Sequence, residues 1–291
     1  MLQNILDFIK TKSFKLNPLN TILNALILII CLVVKIKYKF KIRFGNNFFF
    51  FTFFPNNQID GGRGILLYKE KIEPLMEFGS SLISDNSTII DGGANQGIYS
   101  MAFACVSKKN KIFAIEPFKY CHKIINYNKK INKFNNIKII KKVLSNNVSS
   151  YKLDYSNNIG TSSIIYNWGG KKILNIKSTT IDIIKKKYKL KKIDVIKLDI
   201  EGAEVLALQG ALKTIKRFKP KIIMECNKIQ YKKISFLKKF GYRSYLYNQK
   251  GVLNKINKLE KGVPNLFLLT NKHYKSFQYK LFFKNKLPKI N

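Results

Sequence analysis

Apolar positions along the chain change period several times, and each change marks an element. Ile22 to Val34 is a 13-residue run interrupted only by Asn24, which reads as a helix. A membrane span needs about 20 apolar residues, and extending the run back to Leu16 takes in Asn17, Pro18, Asn20 and Thr21, so a full span is marginal. Lys10, Lys12 and Lys15 precede the run, and Lys35, Lys37, Lys39 and Lys41 follow it. The pattern suits a helix packed on the domain, or one lying in a membrane surface with its lysines at the headgroups, which makes residues 16–41 the candidate membrane contact. No small-residue cleavage site follows, which argues against a signal peptide. From Lys37 to Phe54 the chain alternates, is rich in phenylalanine and breaks at Gly45-Asn46-Asn47, the pattern of a β-hairpin.

Further on, Ile72, Leu75, Met76, Phe78 and Leu82 recur at helical intervals. Short apolar runs then alternate with amphipathic stretches. Strands are predicted at Thr88 to Asp91, Lys111 to Ile115, Ile137 to Leu144, Ile193 to Asp199 and Lys221 to Glu225. Helices are predicted at Tyr120 to Phe134 and across Val205, Leu208, Leu212 and Ile215, the latter stopped by Pro220. Such alternation predicts an α/β fold with a parallel sheet. After a helix at Tyr231 to Phe240, Tyr242 to Tyr247 and Leu266 to Thr270 are expected to pair at the sheet edge. The expectation is a mostly parallel seven-stranded sheet with a terminal antiparallel pair, preceded by an N-terminal helix and a β-hairpin. Tyr151 to Tyr155 and Ile173 to Ser178 are two extra strands around a loop with Gly160-Thr161-Ser162-Ser163 and Trp168-Gly169-Gly170. Loops at a sheet's carboxyl edge present substrate groups. Four units follow: an N-terminal extension (1–36), a hairpin (37–67), an α/β domain (68–272) and a basic tail (273–291).

The first of these strands runs into a glycine-rich turn, Asp91-Gly92-Gly93-Ala94-Asn95-Gln96-Gly97. Gly93 and Gly97 let backbone approach a ligand, and Asn95 is among the few residues besides glycine that tolerate a left-handed conformation. The turn differs from the GxGxxG fingerprint that cradles a pyrophosphate. Asp91 stands where a carboxylate meets a cationic amino group, which favours a nucleoside carrying an amino acid over a diphosphate. S-adenosylmethionine fits that description. Glu116, at the end of the next strand and 19 positions after Gly97, stands where an acid takes ribose hydroxyls. Ser145 ends the third strand, where adenine would lie. The alternative reading is a tight structural turn and a solvated strand end.

These segments resemble the FkbM family of S-adenosylmethionine-dependent methyltransferases. The likeness covers about Tyr68 to Thr270. It rests on IIDGGANQGIYS at 89–100, IEP at 115–117, GTSSI at 160–164, IDVIKLDIEGAEVLALQG at 193–210 and PKIIMEC at 220–226. The family's glycine turn is close to DVGANxG, so Gly92 is a mild departure. The resemblance implies a Rossmann-like class I methyltransferase fold and methyl transfer mostly to oxygen, often on sugars, polyketides or other small molecules.

The formal net charge is +38, which invites a nucleic-acid partner. Only Arg43, Arg63, Arg217 and Arg243 among the 54 basic residues are arginine, and the lysines are scattered through nearly every element beside abundant Ile and Asn. These types share A/T-rich codons, so genome composition accounts for the charge at least as well as function does. Cys31, Cys105, Cys121 and Cys226 are far apart and form no CxxC pair, which disfavours a disulfide framework or a zinc site and makes a reducing cytosol the simplest compartment. His122 and His273 have no neighbour at ligand spacing and read as surface or strand-edge residues.

Methyl transfer to an alcohol needs a base for the hydroxyl proton. Asp199, ending the strand beside the cofactor strand, is the first candidate and Glu225, ending the next, the second. Asp199 has an alternative reading as a helix N-cap, with Glu201 and Glu204 complementing the dipole. Ser162, Ser163 and Glu201 are candidate contacts to the acceptor. The function expected is O-methylation of a hydroxyl on a sugar, glycan or other small molecule. The alternatives are an RNA methyltransferase using the basic surface, disfavoured because Asp199-Ile200-Glu201-Gly202 replaces the Asn/Asp-Pro-Pro-aromatic signature of base methylation, and a non-catalytic basic binding module.

Overall fold

The computed structural model describes residues 10–55, 61–72, 75–76, 79–155, 162–165, 172–247, 252–260, 262 and 264–277. One sheet of eight strands organises the chain. Across it run β12 (Leu253–Ile256), β11 (Tyr242–Tyr247), β13 (Asn265–Thr270), β10 (Lys221–Glu225), β9 (Val195–Leu198), β3 (Thr88–Gly92), β4 (Lys111–Ile115) and β5 (Ile137–Ile140). The strands from β10 to β5 are parallel, and β13, β11 and β12 are antiparallel to their neighbours. Every residue of β3 and of β9 is buried, as expected for strands covered on both faces.

The sheet therefore exceeds the expected seven strands. Leu253–Ile256, a short LNKI segment with little apolar signal, adds a strand outside β11, and β13 lies between β10 and β11. The run Ile137 to Leu144 is also not one strand. It breaks at Lys141-Lys142, and β6 (Val143–Leu144) leaves the main sheet to pair in parallel with β8 (Lys172–Thr179), itself antiparallel to β7 (Ser150–Tyr155). The Ser178 hydroxyl fixes this small sheet, accepting from Ser149 N at 2.8 Å and donating to the Asn147 carbonyl at 2.8 Å.

At the N-terminus, α1 (Lys12–Leu16) is followed by α2 (Pro18–Val34). Asn17 caps α2 by accepting from Asn20 N at 3.1 Å, and Pro18 occupies a first-turn position where no amide is needed. The helix thus starts four residues before the apolar run. Strands β1 (Tyr38–Phe44) and β2 (Asn47–Phe53) form the hairpin, and α3 (Gly61–Tyr68) follows. Of the helix expected across Ile72 to Leu82, residues 75–76 are helical between two short 3-10 turns, and Phe78 lies outside the described residues.

The hairpin's inner phenylalanines, among them Phe44, Phe49, Phe51 and Phe53, are buried in one core with Met101 and Phe103 of α4 (Ile98–Val106). Its outer edge is covered by α5 (Lys119–Ile131). Asn128 Oδ1 accepts from Thr52 N at 2.9 Å, and the Asn132 side chain bonds both the amide and the carbonyl of Phe50 at 2.7 Å. Two asparagines thus stand in for a missing neighbour strand. Asn128→Ala is expected to leave the buried Thr52 amide unpaired and to lower unfolding free energy by about 1–2 kcal/mol in urea titration. Asn132→Ala, at an exposed position, is expected to cost less.

Candidate active site

Strand order reverses at β3, with β4 on one side and β9 on the other. In open α/β sheets the crevice at the carboxyl ends of such strands holds the ligand. A cavity of about 250 Å³ lies there, walled by Gly93, Asn95, Glu116, Asp199, Glu201 and Glu225. Ser162, Lys142, Phe118 and Leu144 complete the parts used below.

The turn after β3 leaves the sheet in left-handed steps, with φ of +72° at Gly93, +48° at Asn95 and +84° at Gly97. Gly93 also has no space for a side chain, because a Cβ there would stand 1.8 Å from the Asp199 carbonyl oxygen. Asn95 donates its amide to Glu116 Oε2 at 2.8 Å, and its side chain accepts from the Cys121 thiol at 3.5 Å. Gly97 does not line the cavity. It starts α4, and a Cβ there would press within 2.7 Å of Ile125 on α5, so its role is helix packing.

Glu116 follows β4 and is 4% exposed. Its Oε1 accepts from Phe118 N at 3.0 Å, and its carbonyl accepts a hydrogen bond from His122 Nε2 at 2.7 Å. Burial pushes its carboxyl up to about 7, against the pull of the two amides. His122 is thus not a surface residue but a buried support for Glu116. Burial lowers its pKa, and the neutral ring donates from Nε2.

Asp91 is fully buried and absent from the cavity wall, a correction to its expected contact with a ligand amino group. Because β3 continues through Gly92, Asp91 sits one residue inside the strand. Its Oδ2 accepts from Ser100 Oγ at 2.5 Å, and its strand partner is Lys197. Lys197 is 2% exposed, bonds Asp199 Oδ2 at 3.0 Å and lies 4.7 Å from the Tyr99 ring centroid. Burial raises the Asp91 pKa while Lys197 pulls it down. Lys197 carries no weight in the sequence reading, though a lysine inside Val195-Ile196-Lys197-Leu198 was a usable signal.

The turn after β9 is shaped by Glu204, at the start of α6 (Glu204–Gln209). Its Oε1 accepts from Ile200 N at 2.9 Å and Gly202 N at 3.3 Å, and Oε2 accepts from Gln230 Nε2 at 2.5 Å. The helix N-cap is Ala203, so Asp199 does not act as one. Glu201 holds a left-handed φ of +51°, a conformation that is costly outside glycine. Its carbonyl accepts from Ser163 Oγ at 2.5 Å, and its carboxyl is pushed up to about 7 by burial and then by Asp199 and Glu204.

Ser163 is therefore a tether for Glu201 and not part of the wall, whereas Ser162 lines the cavity with a buried Oγ that lacks a partner among the described residues. Ser145 is also outside the wall. It is fully buried, with Oγ 2.9 Å from the Tyr151 hydroxyl, and the two positions before it, Val143 and Leu144, line the cavity instead. Gly160 and Thr161 lie outside the described residues.

Four of the chain's sixteen acids wall this one cavity, in a protein of formal charge +38. The donor set fits a compact organic cation with hydroxyl groups. Four carboxylate residues line the cavity, Ser162 Oγ has no partner among the described residues, and Gly93 and Asn95 offer close backbone.

Three known proteins are similar to parts of this chain. "Methyltransferase sdnD" of Sordaria araneosa is 24% identical over 159 residues, covering 44% of this chain and 61% of that protein. The solved FkbM methyltransferase of Methylobacillus flagellatus KT superposes with a TM-score of 0.44 at 16% identity, covering 73% of this chain and 54% of that one. Aeropyrum pernix fibrillarin, solved with S-adenosyl-L-methionine, gives 0.41 at 10% identity, covering 79% and 81%. The chain thus spans under two thirds of the length of the first two. The methyltransferase FkbM domain matches residues 91–244, from the acid of β3 through the first residues of β11 and over more than half of the 291 residues, and the chain belongs to that family.

Proposed function

We propose that the protein methylates a hydroxyl group of a sugar, glycan or other small molecule, with S-adenosylmethionine as methyl donor. The observation that carries this reading is the acid-walled cavity at the carboxyl edge of an otherwise basic protein. A sulfonium with an α-amino group is attracted to that wall, whereas a polyphosphate or an RNA backbone is repelled by it.

When bound, the cofactor supplies an electrophilic methyl group on a positively charged sulfur. Glu116 would hold the ribose hydroxyls, since a carboxylate accepts from two adjacent donors. Gly93 and Asn95 give the close backbone, and Leu144 and Phe118 give apolar surface for the base. Asp199, with Oδ2 committed to Lys197, and Glu225 place negative charge where the cationic part would lie. Glu201 is the group best suited to take the acceptor's proton. Its carboxyl is held at about 7, where a base is both ionised and able to accept a proton at neutral pH. This shifts the base from Asp199 to Glu201, one turn of loop away.

The direct test is incubation with S-adenosylmethionine and a panel of sugars and lipid-linked glycans, read as acceptor mass increased by one CH₂. Glu201→Gln is expected to lower kcat about 100-fold or more, a loss larger than its effect on cofactor affinity. Normal turnover in that variant, with loss in Asp199→Asn, returns the role to Asp199.

A pH dependence also follows. The Glu116 carboxyl lies near 7 without ligand, and hydroxyl donors favour its ionised form, so binding releases a proton. Affinity for S-adenosylmethionine is therefore expected to rise about tenfold from pH 6 to pH 8 in isothermal titration calorimetry. Glu201 titrates in the same range with the same sign, so Glu116→Gln reduces the slope and the double variant with Glu201→Gln flattens it. A wild-type affinity independent of pH overturns the assignment of Glu116 to the ligand.

A further inference from the structure

The helix α2 is amphipathic in the inverted sense. Its buried positions are Thr21, Asn24, Leu28 and Cys31, and Asn24 Nδ2 donates to the Leu67 carbonyl on α3 at 3.2 Å. The opposite face carries Leu19 (80% exposed), Leu23, Leu26, Ile30 and Val33 (74%), flanked by Ile22, Ile29 and Val34. At 3.6 residues per turn these side chains span an arc of roughly 140°. A surface helix of a soluble domain turns such an arc inward. Here eight large aliphatic side chains face out, a larger apolar patch than a monomer normally shows.

The charge around the patch selects its occupant. Between Asp7 and Asp60 the chain has no acidic residue, and Lys10, Lys12, Lys15, Lys35, Lys37, Lys39, Lys41 and Arg43 lie in that interval. On the hairpin that follows, Lys39 and Lys41 are exposed, with ammonium groups 5.2 Å and 3.8 Å from the exposed rings of Phe50 and Phe48. A second copy on this face would bring the same positive charge against it. An anionic bilayer presents the opposite charge together with acyl chains that accept the aliphatic arc. Among the described residues no helix is long and apolar enough to cross a membrane, and α2 is bonded to α3 through Asn24 and the Leu67 carbonyl.

We propose that α2 is an interfacial anchor that docks the protein on an anionic lipid surface, apolar face in the acyl boundary and lysines among the headgroups. The proposal does not depend on the methyltransferase reading.

The test is flotation of the full chain with phosphatidylcholine vesicles, with and without added phosphatidylglycerol. Binding is expected with phosphatidylglycerol and is expected to weaken as salt rises. Leu23→Glu with Leu26→Glu, both at exposed positions, is expected to reduce binding about tenfold or more while leaving the unfolding midpoint and S-adenosylmethionine binding unchanged. Lys35→Glu with Lys37→Glu is expected to remove the preference for the anionic vesicles. Failure of the wild type to float with either vesicle overturns the proposal. So does a dimer that the Leu23→Glu, Leu26→Glu variant dissociates, or association that survives alkaline carbonate as a spanning helix would.

Discussion

One buried ammonium ties the sheet to the cavity. Lys197 stands opposite Asp91 in the β3–β9 ladder and reaches Asp199 two residues along its own strand. An ammonium at 2% exposure is tolerable only with such partners, and each acid near it gains from the same charge. The register that makes the pair also brings the Gly93 turn against the Asp199 carbonyl, where no side chain fits. A slip of one residue would turn the lysine to the other face and open that contact. Cavity geometry is thus a consequence of strand register, and Asp91 acts on the site from behind it.

The two charge patterns of the molecule are separable. Lysines scattered over the surface give a diffuse positive field that salt screens within about 10 Å. Four of the acids line one cavity, where burial penalises the charged forms of Glu116 and Glu201, and repulsion from Asp199 and Glu204 adds to it at Glu201. Glu116 and Glu201 are both pushed up to about 7, and Glu204 is raised as well. Carboxyls buried in this way hold protons that a cationic ligand displaces. The basic composition says little about the ligand, whereas the placement of four carboxylates says much.

Element types and strand-end acids were legible because parallel buried strands leave unbroken apolar runs ending at the functional edge. TIID, KIFAI, DVIKLD and KIIME each place an acid or its neighbour at the crevice. Less legible was what side chains do once there. Asp91 and Glu116 look alike as strand-end acids, yet one more residue of β3 buries the first and leaves the second in the wall. His122 carried no local signal because its partner is a backbone carbonyl, and β12 escaped because an edge strand needs few apolar residues. The break between β5 and β6 lay within a continuous apolar pattern, and only the competing partner β8 decides it.

That break bears on how an acceptor is recognised. By leaving the main sheet, β6 carries Val143 and Leu144 into the cavity wall and joins the small sheet whose β7–β8 connection includes Ser162 and Ser163. Ser163 then bonds the carbonyl of Glu201, the one left-handed non-glycine residue in the β9 turn. The strained backbone at Glu201 is thus held by the segment best placed to contact an acceptor. On the proposed function, movement of that segment reaches the proposed base through contacts that include the Ser163 hydrogen bond.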